Sequence, residues 1–151
     1  MKRRNAYGAL CSAILSLLTG CSSVPPMVPV TGIVRIEGKP MANVKVCFYP
    51  EKLNEDQNKN GFGSAITDDT GTYTIEGTAN QQGLFPGNYR VTLSLPVDKQ
   101  GKMLPGGVKP SEVRGSKNLV PSKYHNQNTT PEIVEVQRTG LHKDFDLTKA
   151  E

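Results

Sequence analysis

The chain has 151 residues, with 18 Lys and Arg against 14 Asp and Glu and no tryptophan. That length holds one ordinary domain. The net charge of +4 does not indicate a nucleic-acid binder, because three of the cations sit in an N-terminal leader and residues 21–151 balance at 15 cations to 14 anions, with no Lys/Arg cluster interleaved with aromatics.

Residues 1–20 read as an export signal. Lys2, Arg3 and Arg4 form a positive start, and Ala6 to Leu18 is apolar apart from Tyr7, Gly8, Cys11, Ser12 and Ser16. An apolar run of roughly 10–13 residues is too short for a bilayer core that needs about 20. Leu18-Thr19-Gly20-Cys21 then fits a lipobox: an apolar residue, two small residues that let a peptidase reach the scissile backbone, and a thiol that can carry diacylglycerol as a thioether. Cys21 is therefore expected to be the lipidated first residue of the mature chain, anchoring it to a membrane of the cell envelope. Residue 22 is Ser rather than the Asp that marks inner-membrane retention in many diderm bacteria, which favours the outer membrane, with the domain periplasmic or surface-exposed.

Ser22 to Pro29 has three prolines in eight residues, so residues 21–29 read as the lipidated Cys plus an extended tether. From residue 30 the apolar pattern has period two. Val30, Gly32, Val34 and Ile36 alternate with Thr31, Ile33 and Arg35. Glu37 to Pro40 is a turn. Val44, Val46 and Phe48 alternate with Lys45, Cys47 and Tyr49. Ala65 to Thr67 is short, and Asp68-Asp69-Thr70-Gly71 is a second turn. Tyr73 and Ile75 form the next phase, Tyr89, Val91, Leu93 and Leu95 the cleanest strand, then Val134 with Val136, and Phe145 with Leu147. About seven short strands with one apolar face each, and no long amphipathic helix, predict a two-layer antiparallel β-sandwich over residues 30–148 with a 149–151 tail.

Two stretches read as long loops. Pro50 to Phe62 is polar. Pro96 to Pro121 lacks periodicity and carries Lys99, Lys102, Lys109, Arg114 and Lys117 against Asp98 and Glu112, a solvated loop or a contact for an anionic headgroup or wall polymer. After the leader and Cys21 are set aside, Cys47 is the one thiol left, so no internal disulfide forms, and with two histidines a Cys/His zinc site is not supported. Cys47 is expected to be a buried, inert thiol.

Several of these segments together resemble a known family. Val30-Thr31-Gly32-Ile33-Val34 followed by Glu37-Gly38-Lys39-Pro40-Met41-Ala42-Asn43-Val44, then Thr67-Asp68-Asp69-Thr70-Gly71-Thr72-Tyr73, then Pro86-Gly87-Asn88-Tyr89-Arg90-Val91, are similar to the motifs of transthyretin-like, carboxypeptidase regulatory-like domains. Val120-Pro121-Ser122-Lys123-Tyr124 and Asp144-Phe145-Asp146-Leu147 resemble the endings of small bacterial lipoproteins that carry this domain alone. The resemblance spans residues 28–148 and implies an all-β, seven-stranded Greek-key sandwich. It implies a fold rather than a reaction, since these motifs are turns and core positions.

Hydrolases of the transthyretin fold use paired His and Arg groups and a C-terminal tetrapeptide; this chain has His125 and His142 and ends Lys149-Ala150-Glu151. Related dioxygenases hold iron with two Tyr and two His, and only Tyr124-His125 echoes that set. Gly-x-Ser-x-Gly, His-Glu-x-x-His and Walker-type loops are lacking. Asp68-Asp69 does not complete a calcium loop and reads as a turn. The expectation is a non-catalytic structural or interaction module without cofactor or metal, with an envelope protein or polysaccharide as partner. The alternative is a carbohydrate- or wall-polymer-binding lipoprotein. For that alternative the aromatics left over from the core, Phe62 and Phe85 beside loop glycines, are the contact residues, unless they pack onto the sandwich end.

Overall fold

The computed structural model describes residues 26–52, 61–77, 81–105 and 108–150. The expected leader, Cys21 and the centre of the 50–62 loop lie outside the described residues. In chain order the strands are β1 (Val30–Ile36), β2 (Lys39–Pro40), β3 (Lys45–Pro50), β4 (Gly63–Ile66), β5 (Thr72–Thr74) and β6 (Glu76–Gly77). They are followed by β7 (Gly87–Ser94), β8 (Pro96–Val97), β9 (Lys117–Asn118), β10 (Ile133–Val136), β11 (Leu141–His142) and β12 (Phe145–Leu147). The protein is all-β, with short 3-10 turns at Pro110–Glu112 and Ser122–Tyr124.

The alternation in β1 is realised residue by residue. Val30, Gly32, Val34 and Ile36 are buried while Thr31, Ile33 and Arg35 are half-buried on the outer face. Along one edge β1 pairs antiparallel with β5 and β2. Along the other it pairs with β11 and β12, and both run parallel to it. This corrects the expectation of an antiparallel sandwich for this layer. A period-two pattern states which face is buried but carries no strand direction, and the chain's last strands reach β1 from across the whole fold.

The second sheet has the order β10-β7-β3-β4-β6 and is antiparallel throughout. The two sheets are joined by a corner: β5 pairs in the first and β6 in the second, and Ile75 between them is completely buried. One hydrophobic core fills the space between the layers, drawing Val30, Val34, Tyr73 and Phe145 from the first sheet and Val46, Phe48, Tyr89, Val91 and Val136 from the second. Phe48 sits at its centre, with ring centroids 6.4 Å from Tyr73 and 6.1 Å from Tyr89, and Tyr73 stacks in turn on Phe145 at 6.1 Å. Both tyrosines place their hydroxyls on carbonyls at the rim, Tyr73 on Lys143 and Tyr89 on Phe85.

Three boundaries differ from expectation. Val28 is already buried and exchanges both backbone hydrogen bonds with Leu84 at 2.8 and 3.0 Å, so the ordered body takes in the last two residues of the stretch read as tether. At the other end, the Lys149 amide donates to Glu37 Oε1 and the Ala150 amide to the Leu119 carbonyl, so the expected tail is pinned almost to its end. The 96–121 stretch is not a plain loop. β8 pairs with β9, and Val97, Leu104 and Val120 are buried. Two-residue strands are too short to show a period, which is why the pattern was silent there.

Candidate functional site

The outer face of the first sheet carries a chain of polar contacts that period two assembles. Thr31 and Arg35 share one phase of β1; His142, Asp144 and Asp146 share one phase of the neighbouring strand. β11 and β12 keep a single register with β1, Val30 opposite Leu141 and Val34 opposite Phe145, so they form one strand interrupted at Lys143-Asp144. In an unbroken parallel ladder the Ile33 amide would donate to the Lys143 carbonyl. Here it donates to Asp144 Oδ1 at 2.9 Å, and the displaced Lys143 carbonyl turns inward over Gly32 to accept the Tyr73 hydroxyl at 2.6 Å. A side-chain carboxylate thus replaces a backbone acceptor.

The other contacts radiate from that carboxylate. Arg35 Nη1 donates to Asp144 Oδ2 at 2.9 Å and approaches Asp146 Oδ1 at 3.5 Å. His142 Nε2 lies 3.3 Å from Asp144 Oδ1, and His142 Nδ1 lies 3.1 Å from Thr31 Oγ1. The order hydroxyl–imidazole–carboxylate has the outline of a nucleophile relay. The surroundings point to a structural job instead. The His142 side chain is 68% exposed, and the Asp144 charge is already engaged by Arg35 and the Ile33 amide. The cluster fastens the terminal strand to β1 where the ladder is broken. Sequence reading missed it because the two halves are 111 residues apart, although Thr31 with Arg35 and Asp144 with Asp146 are visible as outward phases of alternating strands, while His142 is not.

The Arg35 guanidinium, aided by the Ile33 amide, holds the Asp144 carboxyl below its ordinary range. A carboxylate with a lowered folded-state pKa adds stability that is complete above the unfolded value and is lost as pH falls through the folded one. Asp144→Asn is therefore expected to melt a few degrees below the parent at pH 7, and the gap should close as pH drops below about 4. Thermal melts from pH 7 to pH 2 check this, and a gap that is constant with pH would contradict it.

A second locus lies at one end of the second sheet, where β3 finishes and β7 begins. A cleft of about 490 Å³ is lined by Pro50, Glu51, Lys52, Phe85, Asn88 and Glu135, among others. β3 and β7 form its wall, with Pro50 opposite Tyr89 and Asn88 opposite Glu135. The Tyr89 hydroxyl holds the Phe85 carbonyl at 2.8 Å, and burial pushes the Tyr89 phenol up to about 12, so it stays a donor at any ordinary pH. Glu51 pairs with Arg90 at 3.2 Å. Phe85 is half-buried in this cleft. Phe62 is not part of its lining; it is 37% exposed and packs on Tyr49 at 5.2 Å. The structure therefore does not bring together the two aromatics singled out from sequence.

The remaining candidates have local partners. Cys47 is buried opposite Thr92, and desolvation raises its thiol pKa, so it is protonated at neutral pH. His125 Nε2 contacts the Val120 carbonyl at 2.8 Å. Asp68 Oδ1 accepts from the amides of Thr70 and Thr72 and from the Thr70 hydroxyl, closing the turn at Gly71. Among the described residues no group of three or more His, Cys, Asp or Glu is placed to hold a metal ion. Cys21 lies outside the described residues. The chain matches none of the family models, curated proteins or solved structures with which it was compared.

Proposed function

We infer that this chain is a lipid-anchored module of the bacterial cell envelope, held through acylated Cys21, whose β-body serves a structural or interaction role rather than catalysis. The observation that carries the reading is Leu18-Thr19-Gly20-Cys21, placed after Lys2-Arg3-Arg4 and a short apolar run and seven residues ahead of Val28, where the chain docks into the fold. Six residues separate Cys21 from Val28, and the seven steps between them reach at most about 23–25 Å. The body would sit close against its membrane, which is the outer membrane if the residue at position 22 is read as a sorting signal.

The fold reading that goes with this is a transthyretin-like Greek-key sandwich of seven principal strands, namely β1, β3, β4, β5, β7, β10 and the interrupted β11–β12 strand. The shared core between two sheets and the β5–β6 corner support it. The non-catalytic role is supported by the histidines, since His142 belongs to a strand-fastening cluster and His125 to a backbone contact. The polysaccharide-binding alternative draws its support from Phe85 and the acidic side chains in one cleft.

Anchoring is tested by the intact mass of the chain recovered from bacterial membranes. The expected product begins at Cys21 and carries added diacylglyceryl and acyl mass, and Cys21→Ala abolishes both the added mass and membrane retention. A single acyl chain holds a protein only marginally, whereas two or three hold it durably. An unmodified chain starting elsewhere would overturn the reading.

A further inference from the structure

Charge is unevenly distributed beyond the leader. Residues 96–125 hold six cations, Lys99, Lys102, Lys109, Arg114, Lys117 and Lys123, against Asp98 and Glu112. The rest of residues 21–151 holds nine cations against twelve anions. The fold concentrates this excess. β8 and β9 form a ribbon in which Val97 faces Lys117 on one side and bridges Met103 on the other, so Met103 and Lys117 flank the same buried residue. Asp98 Oδ1 accepts from the amides of Gln100 and Lys102, both at 2.9 Å, folding Lys99 and Lys102 into the ribbon tip. The Lys99 side chain in turn lies against Gly115, next to Arg114.

All six cations and Met103 are exposed, and among the described residues none of the six forms an ion pair with a carboxylate. Buried Val97, Leu104 and Val120 fix the ribbon to the core, so Lys99, Lys102, Lys117 and, beside Gly115, Arg114 are carried on a supported platform.

The position of this platform follows from the chain path. Val28 docks beside Leu84, just before β7 begins, and the ribbon starts just after β7 ends. Eight residues of strand span roughly 25 Å. The tether therefore enters at one end of the body and the basic ribbon stands at the other. The near end also carries the cleft with Glu51 and Glu135, beside β7 residues Gly87 to Tyr89.

We propose that the β8–β9 ribbon, with Lys99, Lys102, Arg114 and Lys117, is a docking surface for an anionic polysaccharide of the envelope, one that bears carboxylate or phosphate groups, and that it faces away from the anchoring membrane. The orientation rests on the anchored reading above; the charge complementarity does not. Lysines and Arg114 neutralise the polymer's anions, and exposed Met103 supplies an apolar contact between them. Lipid is the poorer partner because a tether of about 25 Å or less holds the Val28 end of the body, opposite the ribbon, toward the membrane.

The test uses the full chain purified in neutral detergent, with polygalacturonate as probe and affinity electrophoresis over a range of salt. Binding is expected to weaken steadily with salt, as it does for other polyanion contacts. Lys102→Glu combined with Lys117→Glu should lose about tenfold or more in affinity with an unchanged melting temperature. Arg138→Glu, at the other end of the body, should change it less than about twofold. The proposal is overturned if the parent shows no binding at low salt or if Arg138→Glu loses as much as the ribbon variant. It is equally overturned if Phe85→Ala abolishes binding while the ribbon variant keeps it, or if vesicles of phosphatidylglycerol compete for the ribbon better than the polymer does. A Cys21→Ser chain separates the two readings, since a failed anchor leaves polymer binding intact, whereas loss of polymer binding in a correctly acylated chain overturns the docking surface alone.

Discussion

Gly32→Ala should lower the melting temperature by about 10–15 °C, an outcome that no surface property of β1 would predict. The Lys143 carbonyl occupies the space where a Cβ on residue 32 would stand, and Tyr73 Cε1 lies 2.9 Å from it. The neighbour is backbone, so it cannot swing aside as a flexible side chain would. Moving it breaks the Tyr73–Lys143 hydrogen bond and the register that lets Asp144 reach the Ile33 amide. Overpacking of this kind costs about 3 kcal/mol, and for an ordered body of roughly 120 residues each kcal/mol shifts the midpoint by about 3–5 °C. Gly38→Ala is the internal comparison. Gly38 has a φ of 73° but no atom within 4 Å of the added Cβ, so only backbone strain of about 1 kcal/mol applies. Matched melts that put Gly32→Ala no lower than Gly38→Ala would show that the inward-turned carbonyl is not there.

Phe48→Ala is expected to cost about 3–5 kcal/mol, a large share of the stability of a domain this size. Phe48 is completely buried on β3 and is the ring that touches aromatics of both layers, Tyr73 from the first sheet and Tyr89 from the second. Truncation removes the area term and both ring contacts, and it leaves a cavity between sheets whose backbones cannot close on it. Phe48→Leu should recover more than half of the loss, because much of the volume is restored without the ring edges. Chemical denaturation of the three proteins measures this. A loss below about 1 kcal/mol for the alanine variant would mean that the two layers are not joined through this residue.

The strands that build the core were legible because side-chain alternation is a local property. Val30 to Ile36, Val134 to Val136 and Phe145 to Leu147 each present one buried face in the structure, and Val44 to Phe48 and Tyr89 to Leu95 bury the expected face but also Cys47 and Thr92 on the opposite one. The same held for the Asp68 turn and for the placement of Tyr73 and Tyr89 in the core. The polar cluster was half legible: Thr31 and Arg35, and Asp144 and Asp146, fall on outward phases, but nothing local places His142 with them or announces that the two rows face each other. Phe85 was visible as a loop aromatic, and its cleft was not, since Pro50, Asn88 and Glu135 come from three separate strands or strand ends.

Which residues turn inward is therefore written in the chain itself, because a strand's period acts over two residues whatever its neighbours are. The Leu18-Thr19-Gly20-Cys21 motif, from which the proposed anchoring is read, is likewise a local feature of the chain. Strand partners and directions depend on contacts more than a hundred residues apart, and a period of two carries no information about them. This is why β11 and β12 running parallel to β1, the Asp144 carboxylate standing in for the Lys143 carbonyl, and the basic ribbon at the far end from Val28 emerge only once the sheets are assembled.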